Sequence, residues 1–344
     1  MRDESILQDI GSLIRYDRKI KATLRHILFL RVFWKFLFMF SLIFFIIFVL
    51  SIYFLKTASI ENFIIKASLG LLFSLSIGLS FIFLFLDTFY SPNLSKNINK
   101  IIHKKEKIEL IYSKFLNSRT DLQDITDFKL SIVNFKSEPK RKRKSYANYM
   151  STLLNRETPI KKNNENSLDF KFKNYQASFV IEHPLEFTRW TLKYSWKESR
   201  STIGSKKLSM SVLYIENKEF RKMYYNLKIK KSGELSGDYR TESIAFNNKY
   251  STNLESNDLE GAKFLNPTVV NNLVNFNDIN FFALGVYKQL YVERYETKRE
   301  NCQIGIFNFL LLKNRNKVIE YIYDKIVKDI DFLKKSYDYI NFIL

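Results

Sequence analysis

The residue types that commonly bind metals or act as nucleophiles are few and widely separated in this chain. The sequence has three histidines, His26, His103 and His183, and one cysteine, Cys302. A zinc site needs Cys or His pairs at short spacings, and these residues are not placed in that way. A lone cysteine also permits no intrachain disulfide, which is typical of a reducing compartment. We therefore predict no metal site and no cofactor.

Motifs of nucleotide-binding proteins and of hydrolases are missing from the sequence as well. It contains no G-x-x-x-x-G-K-[ST], G-x-G-x-x-G, G-x-S-x-G or H-E-x-x-H. Glu255, Asp258 and Glu260 lie close in sequence, but acidic residues are also expected at the start of a helix. We assign no catalytic residue and predict that the protein is not an enzyme. An enzyme with dispersed catalytic residues would escape this search and is kept as an alternative.

The most concentrated charge is a run of five cations, Lys140-Arg141-Lys142-Arg143-Lys144. It lies within residues 118–168, which lack a sustained apolar period and are predicted to form an extended basic linker. Such a run attracts anionic lipid headgroups or nucleic acid, and a solvated linker without a ligand is the other interpretation. No RNA-binding signature or zinc spacing accompanies the run, so nucleic acid is the weaker candidate. We predict that these cations contact anionic lipid.

Two apolar segments without charged residues lie nearer the N-terminus, at residues 36–55 and 67–86. A helix of about 20 residues is about 30 Å long, which matches the hydrocarbon core of a bilayer. Soluble cores rarely supply two such segments so close together. We therefore predict two transmembrane helices joined by an external loop, residues 56–66. A cleaved signal peptide is disfavoured because the region before residue 36 is too long.

Lysine and arginine flank these two spans unevenly. Many cations precede the first span and follow the second, whereas the loop contains only Lys56 and Lys66. The positive-inside rule then places the N- and C-termini in the cytoplasm. The sequence predicts a multi-pass protein of the cell membrane, with the lipid bilayer as its first partner.

Small residues recur every four positions in the second span, at Gly70, Ser74 and Gly78. This spacing places them on one helical face and permits close approach of another helix. We predict a helix-packing face there, which serves either the first span or another copy of the chain.

Apolar stripes continue on both sides of the spans. Residues 1–35 are predicted to contain an amphipathic juxtamembrane helix, and residues 87–117 a stalk helix. The near-heptad spacing favours an antiparallel coiled-coil pair beneath the bilayer. In the alternative, residues 5–30 lie on the membrane surface. The first stripe contains Ile6, Ile10, Leu13, Ile20, Leu24 and Ile27, and the second Ile98, Ile101, Ile102, Ile108, Ile111 and Phe115.

Residues 169–344 are predicted to form a cytoplasmic α+β domain. Apolar residues alternate with polar ones near residues 190–196, 208–214 and 223–229, which predicts an antiparallel sheet with one solvated face. Residues 170–181 supply another predicted strand, and residues 281–296 and 303–312 two more. Short helices are predicted over residues 259–265, capped by Asn257 or Asp258, and after Asn266 with Pro267 at the first position. A long helix, residues 316–342, is predicted to cover the apolar face of the sheet.

This order of elements resembles the bacterial domain-of-unknown-function 3137 family. The similarity is carried by Phe246-Asn247-Asn248-Lys249-Tyr250-Ser251 and by the following stretch from Asp258 to Pro267. The resemblance covers roughly residues 5–115 and 170–344. It implies two close membrane spans followed by a strand-rich soluble domain. The family offers no established catalytic residues, so none is carried over.

Taken together, these features favour a membrane-anchored adaptor or scaffold. Its cytoplasmic domain would hold a protein partner, or further copies of the chain, at the inner face of the membrane. The alternatives are a sensor of anionic lipid or nucleic acid that works through the basic linker, and an enzyme without a recognisable motif.

Overall fold

The computed structural model describes residues 3–54, 60–104, 106–135, 143–145, 165–181, 185–195, 198–297, 303–309 and 316–344. The chain forms two compact units. The helical unit comprises Met1–Lys107 and Phe307–Ile322, and the sheet unit comprises Ile108–Ile306 and Tyr323–Leu344. The architecture is α+β, as predicted, with two long apolar helices followed by an antiparallel sheet and a C-terminal helix.

The α-helices are bounded mostly by local capping signals. Asp17 accepts hydrogen bonds from the Lys19 and Ile20 amides, at 2.9 and 3.0 Å, and so separates the first two helices. Asp258 and Asn266 cap two short helices as predicted, and Pro267 is the first residue of the second. The helices are α1 Glu4–Tyr16, α2 Arg18–Phe54, α3 Ile60–Lys104, α4 Lys107–Asn117, α5 Lys218–Met223, α6 Ile244–Lys249, α7 Leu259–Phe264, α8 Pro267–Asn275 and α9 Asn316–Asn341.

The two predicted spans are the middle parts of longer helices in the helical unit. The segment predicted as one helix, residues 1–35, is divided at Asp17, and its second half is the beginning of α2. The predicted stalk over residues 87–117 is also divided, because α3 passes through Pro92 and ends at Lys104. Glu106 then has a φ of 54°, a left-handed conformation that no α-helix continues through.

Among the described residues of the sheet unit, ten strands form a single sheet. Along its main path the order is β1-β3-β4-β6-β10-β9-β7-β8, and all neighbours there are antiparallel. β5 pairs with the first part of β6, and β2 joins β5 in parallel. The strands are β1 Ile125–Ser131, β2 Arg143–Ser145, β3 Ser167–Phe172, β4 Tyr175–Ile181, β5 Leu185–Ser195, β6 Glu198–Glu216, β7 Lys228–Lys231, β8 Tyr250–Thr252, β9 Phe281–Val286 and β10 Leu290–Thr297.

The centre of the sheet is buried on both faces, which corrects the prediction of one solvated face. Tyr291 pairs with Tyr214 on one face, and the next residue, Val292, points to the other; all three are buried. The long helix α9 contributes to one side as predicted. There the ring of Tyr339 lies 5.1 Å from that of Phe281, measured between centroids.

Several predicted strand boundaries were wrong. Residues 170–181 belong to the hairpin β3–β4, and residues 281–296 to the hairpin β9–β10. The described part of the second predicted strand, residues 303–309, contains turns and no strand. In the stretch 223–229, only the last two residues belong to a strand, because α5 ends at Met223. The predicted linker, residues 118–168, contains β1, which is paired with β3.

Candidate functional site

The middle of α2 and of α3 exposes large apolar side chains. From Phe36 to Ile52 on α2 these side chains are between 39% and 60% exposed, and from Phe63 to Tyr90 on α3 between 42% and 72%. Both helices are long and apolar enough to cross a membrane. A core helix of a soluble protein would bury these side chains, since each buried Leu or Ile contributes roughly 1.5–3 kcal/mol. We define this surface as the apolar band.

Within the apolar band and at its edge, α2 and α3 pack side by side in antiparallel directions. The rings of Phe45 and Phe73 lie 5.3 Å apart, and those of Phe33 and Phe83 lie 4.7 Å apart. The hydroxyl of the buried Ser80 donates to the Trp34 carbonyl at 3.1 Å. Ser80 thus joins the two helices by a polar contact.

One residue of the predicted packing face, Gly70, lies close to α2. A Cβ atom placed on Gly70 would lie 3.4 Å from the ring of Phe48 on α2, so this glycine is close to the other helix. Ser74 and Gly78 are exposed, and a Cβ atom on Gly78 would meet nothing within 4 Å. Ser76 and Ser80 are buried instead. Gly70 thus packs against the first span, and packing of Ser74 and Gly78 against another copy of the chain stays a prediction.

At the other end of α3, a buried amide joins two parts of the helical unit. Asn99 Nδ2 donates to the carbonyl oxygens of Ser95 and Phe307, at 3.0 and 2.9 Å. Asn99 Oδ1 accepts the Phe307 amide at 3.0 Å. Asn99 is fully buried, so these bonds satisfy backbone groups of the segment 303–309 that no strand partner satisfies.

The sheet unit contains a buried ion pair between β10 and the loop that precedes β9. Arg294 Nε and Nη2 donate to the two oxygens of Asp278, at 2.5 and 3.2 Å, and the side chain of Arg294 is fully buried. Burial raises the pKa of the Asp278 carboxyl group, but the hydrogen bond and charge of Arg294 outweigh it and hold the pKa below its usual value. Tyr339 of α9 contacts the same carboxylate at 3.4 Å, and burial raises the pKa of its phenol.

The end of α8 lies beside this ion pair and is closed by two side chains. Lys249 Nζ donates to the carbonyl oxygens of Leu273, Val274 and Phe276, at 3.3, 3.0 and 2.8 Å. Tyr250 donates to the Leu273 carbonyl at 3.0 Å, and burial raises the pKa of its phenol to about 12. A cation at this position satisfies terminal carbonyl groups and complements the helix dipole.

A second buried charged group joins α4 to α9. Lys325 and Asp329, one turn apart on α9, form an ion pair, and Tyr112 donates to Asp329 Oδ2 at 2.7 Å. The Gly305 amide donates to the same oxygen at 3.2 Å. Asp329 and Tyr112 are fully buried. The carboxylate is thus neutralised and hydrogen-bonded within the core, as a structural ion pair requires.

Among the described residues, no three His, Cys, Asp or Glu side chains lie close enough to hold a metal ion. His26 is exposed on α2, and the ring of His103 stacks on that of Phe307 with centroids 6.4 Å apart. His183 and Cys302 lie outside the described residues. The buried charged groups named above are held by partners in the core, which indicates structural roles.

The basic run is described only in part. Arg143 and Lys144 belong to β2, whose backbone pairs with Glu186 and Phe187 of β5. Lys140, Arg141 and Lys142 lie outside the described residues. Their predicted contact with anionic lipid stays a prediction.

Comparison of the chain with protein-family models, with curated proteins and with solved structures finds no match. The resemblance to the domain-of-unknown-function 3137 family therefore stays a hypothesis.

Proposed function

We propose that this chain is a membrane-anchored adaptor, which uses α2 and α3 to hold the sheet unit at the inner face of the membrane. The observation that carries the proposal is the contrast in burial within one chain. The apolar band leaves its largest side chains exposed, whereas the sheet unit buries most of its large apolar side chains among the described residues. A bilayer is the solvent in which such an apolar surface is stable.

The orientation follows from the charged residues that flank the band. Arg18, Arg25, Arg31 and Lys35 lie on α2 before the uncharged segment, and Lys96, Lys100 and Lys104 lie at the end of α3. Cations remain on the cytoplasmic side during insertion. In this proposal, the loop between the helices faces outward and both termini face the cytoplasm.

The partner of the adaptor is a protein, and a partly apolar patch of the sheet unit supports this choice. Met223 is 48% exposed and Tyr225 is 61% exposed, and the ring of Tyr225 lies 5.5 Å from that of Tyr287. Exposed aromatic and methionine side chains are enriched where proteins bind one another. We define Met223, Tyr225 and Tyr287 as the aromatic patch, and propose that a protein partner or a second copy of the chain binds there.

Site-specific photo-crosslinking in cells tests this function. A photoreactive residue at position 225 should give a discrete crosslinked product, which mass spectrometry then identifies. The matched control is position 16, because Tyr16 is also exposed but lies on α1 in the helical unit. The adaptor function would be contradicted if two results were found together. The photoreactive residue at position 225 would give no crosslinked product, and the purified protein would be a monomer in mild detergent.

A further inference from the structure

A shallow groove on α2 combines two cations with apolar side chains. Among the described residues, its lining lies on this one helix and consists of Leu28, Arg31, Val32, Lys35, Phe36 and Met39. Residues at spacings of three and four share one face of a helix, so these side chains lie along one strip. Phe33, which contacts Phe83 on α3, does not line the groove. The groove therefore lies beside the contact between α2 and α3.

The groove has a polar end and an apolar end. Arg31 and Lys35 are one turn apart, and they are the last cations before the uncharged segment that begins at Phe36. Beyond them, Phe36 is 55% exposed and Met39 is 60% exposed. From Arg31 to Met39 the helix rises by about 12 Å, which is enough for a headgroup and the first part of an acyl chain.

We propose that this groove binds one anionic phospholipid. The phosphate lies between Arg31 and Lys35, and an acyl chain covers Val32, Phe36 and Met39. This inference rests on the proposed insertion of α2 into the membrane and adds a specific ligand. Long basic side chains at the end of a span extend to the headgroups, and clustered cations there favour anionic lipids.

Charge and shape together select this class of ligand. A soluble anion would meet the two cations but would leave the apolar part of the groove uncovered. A zwitterionic lipid would bring its own cation close to Arg31 and Lys35. A phospholipid whose headgroup carries a net negative charge avoids both mismatches.

Native mass spectrometry of the full-length protein in mild detergent tests the proposal. The protein is incubated with equal amounts of phosphatidylglycerol and phosphatidylcholine that carry the same acyl chains, and the retained lipids are counted. We expect preferential retention of phosphatidylglycerol. The double variant Arg31→Gln/Lys35→Gln should lower this preference by about fivefold for each cation removed.

The matched control is Lys21→Gln/Arg25→Gln, which removes two exposed cations one turn apart on the same helix but outside the groove. This variant should keep the preference of the unchanged protein. Equal loss in both double variants would indicate a diffuse charge effect and would overturn the site, as would no loss in Arg31→Gln/Lys35→Gln. Displacement of the lipid by millimolar glycerol phosphate would also overturn it, because the headgroup alone would then account for binding.

Sedimentation of the same variants after carbonate extraction separates this inference from the proposed function. If the unchanged protein leaves the membrane, the anchor itself fails. If it stays in the membrane but retains both lipids equally, only the lipid site fails.

Discussion

Ile46 in the middle of α2 is 50% exposed, whereas Ile229 of β7 is fully buried, although both belong to regular secondary structure. Charged residues show the opposite distribution. The uncharged segments of α2 and α3 lack them altogether, while the core of the sheet unit contains Arg294, Lys325 and Asp329. A buried charge is tolerated in the sheet unit because each one has a partner within the protein. In the proposed anchored protein, the two regions fold against different solvents: lipid for the apolar band and water for the sheet unit.

The largest expected effect comes from breaking a charge pair in the sheet unit. Asp278→Ala leaves the guanidinium of Arg294 buried without its carboxylate, and we expect a loss of about 3–5 kcal/mol in the free energy of unfolding. Chemical denaturation of the full-length protein in detergent measures this loss. Asp331→Ala is the control, because its ion pair with Arg119 is partly exposed and should contribute about 0–1 kcal/mol. Equal effects of the two changes would contradict the structural role of the buried pair.

The next largest effect is expected when an isoleucine of the apolar band is replaced by arginine. The same substitution in the sheet unit is its control. Ile46→Arg places a cation in the apolar band, and we expect membrane insertion to weaken by about 2.5–3.5 kcal/mol. Ile279→Arg changes a residue that is 80% exposed in the sheet unit, and should alter stability by no more than about 0.5 kcal/mol. A membrane-insertion assay measures the first and denaturation the second. If Ile46→Arg inserted as well as the unchanged chain, the apolar band would not face lipid.

A smaller effect is expected where α3 leaves the apolar band. Asn99→Leu removes the partners of the Phe307 amide and carbonyl, and should cost about 1–3 kcal/mol. Hydrogen exchange at the Phe307 amide gives a local measurement and should accelerate. The matched control, Asn97→Leu, changes an exposed residue on the same helix and should leave that exchange rate unaltered.

The smallest effect concerns Tyr250. Tyr250→Phe removes one hydrogen bond to the end of α8 and should cost about 1 kcal/mol. Because burial raises the pKa of this phenol to about 12, its contribution to stability is complete below the ordinary pKa of about 10 and is lost as the pH rises through 12. Phenolate absorbance should show one fewer late-titrating tyrosine in the variant than in the unchanged protein. Titration of that group near its ordinary pKa would contradict the buried position.

Features specified by neighbouring residues could be predicted from the sequence. The capping of α8 by Asn266 with Pro267 next to it was confirmed, as were the long helix α9 and the two long apolar helices. These signals act within one or two helical turns.

Features that depend on irregular backbone could not be predicted. β1 was missed because Asp127 has a φ of 49° and the pairing register with β3 shifts there, which interrupts the alternation. The hairpin β9–β10 was read as one strand because the connection from Tyr287 to Gln289 contains no Gly, Pro or Asn. Gly305, with a φ of 66°, lies within the segment wrongly predicted as a strand.

The candidate sites also differ in whether the sequence indicated them. The cations of the groove on α2 were visible in the sequence because they flank an uncharged segment. The pairing of Asp278 with Arg294 was not, since it depends on the position of a loop beside a sheet. Lys325 and Asp329 gave a partial signal, because their spacing of four on α9 favours an ion pair.

Sedimentation of membranes after carbonate extraction tests the central claim most directly. The full-length chain should remain in the membrane pellet, because the exposed side chains of α2 and α3 would be solvated by lipid. Recovery of folded, monomeric protein in the supernatant would contradict membrane anchoring, and with it the proposed adaptor function.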